Sequence, residues 1–322
     1  MKIKRNFRLK TILSFIGFNI VFAILLAPFI VFWGPFQALK QVAVGSIETS
    51  RHPQVVRLFL SKDKIAEIMN SNQDALNTPQ IITKGQNIVS NEGIIIEDIQ
   101  GRNFKGRVML IKDPKRVKVA VTKEIGVTGE RVTDLVRDAG AIAGINAGGF
   151  YDPNGKGNGA FPDGITIHKG QTVHTNAGDA AVSIVGLDEK GKLILEDLTE
   201  AQIKEKNIQE AVTFYPILIR NGKPAVSGDG GMGIAPRTGI GQTADGTIIF
   251  VVIDGRQPTW SLGATISDLM NVFLDYHATN AINLDGGSSS ELVYNGKVMN
   301  RLWNIFGERY IPTAFVVMPK DQ

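Results

Sequence analysis

An uncharged N-terminal stretch limits how this chain can fold more than any other feature of it. No charged residue occurs from Thr11 to Leu39, and Ile12 to Trp33 is almost wholly apolar. About 20 such residues cross a bilayer as one helix, and the basic residues before the stretch place that side in the cytoplasm by the positive-inside rule. The sequence therefore predicts a cytoplasmic tail at residues 1–10, a single-pass transmembrane anchor at 11–36 and an extracellular remainder.

A cleaved signal peptide is the alternative interpretation of this stretch. Its apolar region is usually about 7–15 residues long and ends at a small-residue cleavage site. The apolar run here is longer, and Ala43-Val44-Gly45 matches such a site poorly. These differences favour an anchor that stays in the cell membrane.

Charge and cysteine content exclude several classes of function. The chain has a formal net charge of +4, but five of its 35 basic residues precede the apolar stretch, so the rest holds 30 basic against 31 acidic residues. A body so nearly neutral is not that of a nucleic-acid-binding protein, which needs a clustered basic face. Because cysteine is absent, disulfides and thiol catalysis are excluded.

The remainder divides into a linker region and a main domain. Residues 37–84 are expected to form a juxtamembrane linker with one short helix, Lys62–Asn70, which Ser61 would cap. Short β-rich runs separated by glycine turns follow and predict the main domain at 85–322. Its predicted class is α/β (α+β): a mixed sheet with β-α-β units and flanking helices.

Two segments of the main domain share the pattern of a β-α-β unit. The first has strands at Val117–Val121 and Ile142–Ile145 around a helix at Gly129–Ala139; the second has strands at Ile248–Ile253 and Ala281–Leu284 around a helix that Thr265 and Asp268 open as a capping box. The two units also end alike, in Ile-Asn-Ala-Gly-Gly and Ile-Asn-Leu-Asp-Gly. This likeness indicates an internal duplication.

The second unit carries the candidate catalytic residues. If its strands are parallel neighbours, Asp254 and Asp285 follow the carboxyl ends of both, and their carboxylates lie within roughly 5–10 Å of each other. Gly286 and Gly287 would then turn the backbone and expose N–H groups to an anion. The structural alternative is a plain Asp-Gly turn, but the serines that begin at Ser288 extend the run of small residues beyond what a turn needs.

Two arginines and two asparagines complete the candidate site. Arg237 and Arg256 are the candidates for bidentate phosphate binding. Asn146 and Asn283, at the ends of the two units, would bind either the sugar or the loop backbone. Carboxylates near an anomeric carbon and cations near a phosphate are what hydrolysis of a glycosyl phosphate requires.

Five motifs of the main domain resemble those of the phosphodiester glycosidase family. They are Ile145–Gly155, Ile234–Gly241, Asp254-Gly255-Arg256, Asn283–Ser290 and Gly307–Ala314, and the resemblance extends in order over roughly residues 50–318. It implies hydrolysis of a sugar–phosphate diester at the glycosidic C–O bond, and relatives in bacteria look like surface proteins of exopolysaccharide metabolism. Two positions depart from the family: Ser288 stands where a third glycine is frequent, and Glu291 where threonine is common.

We therefore expect a surface hydrolase with Asp285 as nucleophile or general base and Asp254 as its partner. Glu308, a carboxylate in a family-like motif, is the third catalytic candidate. The expected partners are the membrane and a phosphodiester-linked sugar in a wall polymer or surface glycopolymer, with α-GlcNAc as the candidate sugar, and not nucleic acid. No cofactor or metal is assigned, although a divalent cation such as calcium could lie among Asp152, Asp163 and Asp285. The rival interpretation is a non-catalytic protein of the same fold that binds such a polymer or takes part in exopolysaccharide assembly.

Overall fold

The computed structural model describes most of the chain and divides it into two compact units. The units are Met1–Met69 and Asn70–Gln322. The described residues are 2–48, 54–70, 83–89, 93–153, 157–304 and 306–320.

The first unit is helical. Its helices are α1 (Lys2–Trp33), α2 (Gln37–Glu48), α3 (Gln54–Arg57) and α4 (Lys62–Asn70). Within α1, Lys10–Trp33 is long and apolar enough to cross a membrane by length and composition, a test that a signal sequence also passes. The other helices pack on the end of α1 around Phe32, Val44 and Val56, so the region predicted as a linker is largely helical. Helix α4 has the predicted bounds, and the Ser61 hydroxyl caps it by accepting from the Lys64 N–H at 3.2 Å.

The described residues of the second unit form three sheets and three α-helices. Its helices are α5 (Val132–Asp138), α6 (Glu200–Glu205) and α7 (Ile266–Asp275). Its strands are β1 (Thr83–Val89), β2 (Ile94–Gln100), β3 (Lys105–Ile111), β4 (Val117–Val121), β5 (Ala143–Asn146), β6 (Ile165–His168), β7 (Gln171–Thr175), β8 (Val182–Leu187), β9 (Leu193–Leu198), β10 (Glu210–Thr213), β11 (Ile217–Arg220), β12 (Lys223–Pro224), β13 (Arg237–Thr243), β14 (Ile248–Ile253), β15 (Ala278–Leu284), β16 (Leu292–Tyr294), β17 (Lys297–Val298) and β18 (Thr313–Val317).

The strands form one large sheet and two smaller ones. The large sheet has the order β1-β2-β3-β14-β13-β15-β11-β12, the central sheet β17-β16-β5-β18-β4, and the small sheet β7-β6-β10-β8-β9. Each neighbouring pair among these described strands is antiparallel. The α+β class is thus confirmed, with antiparallel sheets where a mixed sheet was expected.

Both predicted β-α-β units exist, but a third strand separates the two strands of each. Strand β13 is antiparallel to both β14 and β15, and β18 is antiparallel to both β4 and β5. The strands of each unit therefore run in the same direction, as a crossover helix requires, while lying two strand spacings apart. The expectation of parallel neighbours was wrong because a strand outside each unit fills the gap. This strand is β18 in the first β-α-β unit and β13, which directly precedes β14, in the second. The shared arrangement agrees with an internal duplication.

Alternating side chains bury both faces of the large sheet. Along β14, Phe250 and Val252 face the central sheet, while Val251 and Ile253 pack under α7. Helix α7 begins at the predicted Thr265–Asp268 capping box. Its Phe273 presses onto β13, where a Cβ on Gly239 would come within 2.8 Å of the ring. This packing fixes the β14 and β15 ends that carry the candidate site.

Candidate active site

The carboxyl ends of β5 and β15 meet between the central and large sheets. Asn146 ends β5 and is 1% exposed; its Nδ2 donates to the backbone oxygen of Asp285 at 2.5 Å. In return the Asp285 N–H donates to the Ala147 oxygen at 3.1 Å. The Asn146 Oδ1 accepts from the Thr238 hydroxyl at 2.8 Å and from the Glu291 N–H at 3.0 Å. Asn146 thus binds loop backbone, one of its two predicted roles.

The Asp285 side chain lies among groups of both charges. Burial is the main cause that raises its pKa, to about 6. A hydrogen bond from Ser289 and the charge of Arg309 oppose this rise, and the nearby Asp152 adds to it. The residue is still partly exposed. A partly exposed residue whose carboxyl group titrates near neutrality suits a base or nucleophile.

Arg256 lies against the glycine turn that follows Asp285. Gly287 has φ +62°, and a Cβ there would be 3.5 Å from Nη1 of Arg256. The guanidinium has no ion pair within the described part of the chain, and its Nε is buried without a hydrogen-bond partner. Burial lowers the pKa of Arg256. Because a buried cation without a counterion is costly, this arrangement is that of a site prepared for an anion.

Ser288 connects the turn to a second arginine. The Arg309 Nη1 donates to the Ser288 hydroxyl at 2.8 Å, and Arg309 Nη2 lies 2.5 Å from the Asp152 carboxylate. Ser288 and Arg309 line a cleft of about 600 Å³ whose rim carries the partly exposed rings of Trp303 and Tyr310. Aromatic faces beside polar groups are suited to a sugar ring.

Glu308 also lines this cleft but is engaged with α5 and a second carboxyl. Its Oε2 accepts from the Thr133 N–H at 3.1 Å and from the Thr133 hydroxyl at 2.7 Å. It is hydrogen-bonded to Glu291, which is 2% exposed. Burial first, and then this neighbour, raise the pKa of Glu291 to about 10. Glu291 therefore keeps its proton at neutral pH.

Asp254 has different surroundings from Asp285. Its Oδ2 accepts from the Trp260 Nε1 at 2.8 Å, and its Oδ1 from the Asn300 Nδ2 at 3.2 Å and the Arg301 N–H at 3.0 Å. Burial, the largest cause, nevertheless raises its pKa. Asn300 also donates to the Ser290 oxygen at 3.1 Å, which ties the two aspartate loops together. Since β13 lies between their strands, the two backbones are about 10 Å apart, which is twice the spacing of neighbouring strands.

Arg237 and Asn283 are held by backbone carbonyls. The Arg237 Nε donates to the Ala264 oxygen at 3.0 Å, and its Nη2 to the Met232 and Gly233 oxygens at 2.8 and 2.6 Å. Burial, and secondly the charge of Arg256, lower the pKa of Arg237 to about 10. The Asn283 Nδ2 donates to the Tyr215 oxygen at 2.9 Å, while its buried Oδ1 has no partner. The structure therefore places Arg256, rather than Arg237, at the open turn.

The acidic residues considered for a cation are engaged in other contacts. Asp152 Oδ2 faces Arg309, and its Oδ1 accepts from the Gly157 N–H at 2.6 Å. Within the described ranges, no group of three or more histidine, cysteine, aspartate or glutamate side chains could hold a metal ion.

The sequence placed Asp152 near Asp285 only as a possible cation ligand, and it did not indicate Arg309 as a neighbour of Asp285. Arg309 belongs to a motif in which another residue, Glu308, was the candidate. The signal that could have identified Arg309 is its position directly after Glu308 in the family-like Gly307–Ala314 motif.

Fold and site together define an α+β protein in which a carboxyl group of raised pKa directly precedes a glycine turn, and this turn lies against an arginine that has no ion pair among the described residues. A family model described as phosphodiester glycosidase matches residues 139–318, more than half of the chain. The chain belongs to the phosphodiester glycosidase family.

Solved structures share this fold at low sequence identity. The catalytic domain of zebrafish N-acetylglucosamine-1-phosphodiester alpha-N-acetylglucosaminidase, auto-inhibited by its pro-peptide, is 21% identical with a TM-score of 0.60, covering 78% of this chain and 92% of that one. A protein of Burkholderia pseudomallei K96243 named as exported is 16% identical with a TM-score of 0.52, covering 80% and 89%. A hypothetical protein from Synechocystis is 14% identical with a TM-score of 0.53, covering 76% and 69%. At these identities the likeness concerns the fold alone.

A curated relative is similar over a shorter region. The SPbeta prophage-derived uncharacterized protein YomE of Bacillus subtilis (strain 168) is 36% identical over 86 residues. The match covers 27% of this chain and 13% of YomE.

Proposed function

We propose that this protein hydrolyses a glycosyl phosphodiester in a surface polysaccharide or wall polymer, at the bond between the anomeric carbon and the phosphate oxygen. The observation that carries the proposal is the guanidinium of Arg256, which has no ion pair among the described residues and lies against Gly287 of the turn that directly follows Asp285, a residue of raised pKa. A cation without a counterion binds phosphate, and the adjacent carboxylate can then act on the sugar attached to it.

In this reaction Asp285 is ionised and acts as general base or nucleophile. As a base it takes a proton from the water that attacks the anomeric carbon; as a nucleophile it bonds to that carbon, and water releases the sugar afterwards. In both routes the C–O bond breaks and its electron pair leaves with the phosphate monoester. This leaving group is far more acidic than a sugar alcohol, its second pKa being about 6, so a strong general acid is less needed. Stabilisation of the leaving phosphate by Arg256 becomes the larger contribution.

The surrounding residues would position these two groups. Arg237 holds the loop before β13, Asn146 holds the Asp285 backbone, and Asp254 orients Trp260 and Asn300. Glu308 lines the cleft beside Ser288 and Arg309, where it would face the sugar. Asp254, with three donors on its carboxylate, acts here as a positioning residue.

We further propose that α1 anchors the protein in the cell membrane, with its N-terminus in the cytoplasm and the second unit outside. The apolar Lys10–Trp33 segment and the preceding basic residues support this topology. An outward location would give the enzyme access to surface polymers.

The test is hydrolysis of α-GlcNAc 1-(methyl phosphate) by the detergent-solubilised full-length protein in water enriched in ¹⁸O. Cleavage at the sugar carbon places the label in the released sugar and none in methyl phosphate. Label in the phosphate would show cleavage of the P–O bond and refute the proposed chemistry. The Asp285→Asn protein is the control for contaminating hydrolases. Tight binding of this and related sugar phosphodiesters without turnover would favour the non-catalytic alternative.

A further inference from the structure

A second cavity, of about 470 Å³, opens beside Asp254. It is lined by the first three strands of the large sheet, by Trp260 and by the segment that ends at Arg301. We call it the Trp260 cleft; its charged residues are Lys84, Asp98, Lys105, Arg107, Asp254 and Arg301.

The positive charges of the Trp260 cleft exceed its negative ones. Arg107 neutralises Asp98 across 2.6 Å. Lys84, Lys105 and Arg301 form no ion pair within the described part of the chain. The one other acidic group, Asp254, is buried and directed toward its own N–H donors. The cleft therefore presents uncompensated cations to any ligand that enters it.

One aromatic ring contacts two of these cations. The Lys105 Nζ lies 4.0 Å from the centre of the Trp260 ring, and the Arg301 Cζ lies 5.5 Å from the same ring. The Lys84 Nζ lies 4.1 Å from the centre of the Tyr276 ring, and its charge acts on the nearby Asp275. A cation over a ring is attracted weakly at exposed sites and keeps its N–H groups available. Lys105 and Arg301 are therefore oriented for an anion without being neutralised.

The Trp260 cleft and the Asp285 site share one loop. Arg256 and Trp260 are four residues apart, so their Cα atoms are at most about 14 Å from each other. The loop is closed by mutual backbone hydrogen bonds between Gln257 and Ser261, each at 2.8 to 2.9 Å. The Gln257 side chain also donates to the Arg301 oxygen at 3.0 Å. The spacing is one that successive phosphates of a single polymer can span.

We infer that the Trp260 cleft binds a second phosphate of the same substrate chain. The substrate class is then a polymer with repeated phosphodiesters, in which Arg256 binds the reacting phosphate and Lys105 and Arg301 bind a neighbouring one. This inference rests on the proposed function, which supplies the position of the reacting phosphate. The charge and shape of the Trp260 cleft do not depend on the proposed function.

The test compares two substrates with the same reacting sugar. One is α-GlcNAc 1-(methyl phosphate), and the other is the same diester extended by one glycerol phosphate unit. The variants Lys105→Gln and Arg301→Gln are made in the full-length protein, with Lys223→Gln, an exposed lysine of β12, as the matched control. Unchanged thermal unfolding shows that each variant is folded. The readout is the ratio of kcat/KM for the extended diester to kcat/KM for the short one.

We expect each of the two variants to lower this ratio roughly tenfold, as the loss of one charge-assisted contact would, and Lys223→Gln to leave it unchanged. An unchanged ratio in both variants would overturn the inference. If the wild-type protein hydrolyses neither diester, the proposed function fails. Calorimetric titration of the Asp285→Asn protein with tripolyphosphate then tests separately whether the Trp260 cleft binds an anion. Binding that Lys105→Gln and Arg301→Gln abolish in that background would support an anion site; no binding would refute it.

Discussion

The Nδ2 of Asn146 donates a hydrogen bond of 2.5 Å to the backbone oxygen of Asp285, and this contact joins the ends of two β-α-β units that lie in different sheets. The same side chain accepts hydrogen bonds from Thr238 and from the Glu291 backbone. One buried amide therefore sets the position of the loop that carries the proposed catalytic carboxylate.

The first prediction concerns this amide. Asn146→Ala should lower the free energy of unfolding by about 2–4 kcal/mol, because buried partners lose their hydrogen bonds. Asn283→Ala is the matched control, since Asn283 is the next-to-last residue of the equivalent strand β15 and its Oδ1 has no partner to lose. Urea unfolding of the full-length protein, followed by tryptophan fluorescence, measures both losses. An equal or larger loss for Asn283→Ala would contradict the role assigned to Asn146.

The second prediction is the pH dependence of turnover. Because burial raises the pKa of Asp285 to about 6 and the reaction needs its ionised form, kcat should fall as the pH drops through that value. Asp285→Asn should lower kcat by roughly 10²–10⁴-fold with little change in KM. A folded Asp285→Asn protein with near-wild-type turnover would remove this residue from the chemistry.

The neighbours of Asp285 provide an independent check of this assignment. Asp152 raises the pKa of Asp285 and Arg309 lowers it. Asp152→Asn should therefore move the acid limb of the pH profile to lower pH, and Arg309→Gln should move it to higher pH. Shifts in the same direction for both variants would show that the acid limb of the pH profile arises from the ionisation of another group.

The third prediction separates the two arginines. Arg237→Gln removes three hydrogen bonds to backbone carbonyls and should destabilise the fold by about 2–4 kcal/mol. Arg256→Gln removes a mostly buried cation that has no ion pair among the described residues, so the free energy of unfolding should stay the same or increase, whereas KM should rise and kcat should fall. Thermal unfolding and steady-state kinetics together distinguish these outcomes. Loss of stability without a kinetic effect in Arg256→Gln would place the phosphate elsewhere.

The fourth prediction follows from the buried carboxyl group of Glu291 beside Glu308. Burial and Glu308 raise the pKa of Glu291 to about 10 from its ordinary 4.5, so Glu291 is protonated when folded and ionised when unfolded. Its contribution to stability is complete below pH 4.5 and is lost as the pH rises toward 10. The free energy of unfolding should therefore fall by up to about 1.4 kcal/mol per pH unit relative to Glu291→Gln.

Unfolding measured at pH 4.5 and at pH 8 tests this directly. Wild type and Glu291→Gln should be about equally stable at pH 4.5, and Glu291→Gln should be the more stable of the two at pH 8. Glu205→Gln, at an exposed position, is the control and should show no such divergence. A constant difference between wild type and Glu291→Gln would contradict the protonated state of Glu291.

The fifth prediction concerns the anchor. Full-length protein should fractionate with membranes at its unprocessed mass, because Lys10–Trp33 is long enough to span the bilayer. Mature protein in the medium, beginning near Gly45, would instead identify the apolar segment as a cleaved signal.

The sequence by itself determined the local elements of this protein and its family. Three local elements were predictable: strand β14, the bounds of α4 and the capping box of α7. An apolar run of β-branched residues and a capping pattern each depend on residues close together in the chain. The motifs around Asn146 and Asp285 carried the family for the same reason. Asp285 was also predictable as a candidate, since its position after a strand and before two glycines is a local property.

Only the tertiary structure decided which strands lie side by side and which charges remain unpaired. Strand β13 separates β14 from β15, so Asp254 is directed to Trp260 and Asn300 instead of pairing with Asp285. Arg237 and Arg256 look equivalent in sequence. Backbone carbonyls bind the guanidinium of Arg237, whereas that of Arg256 has no ion pair among the described residues. Pairing between distant strands and burial of charge arise from contacts across the whole fold, and no short stretch of sequence specifies them.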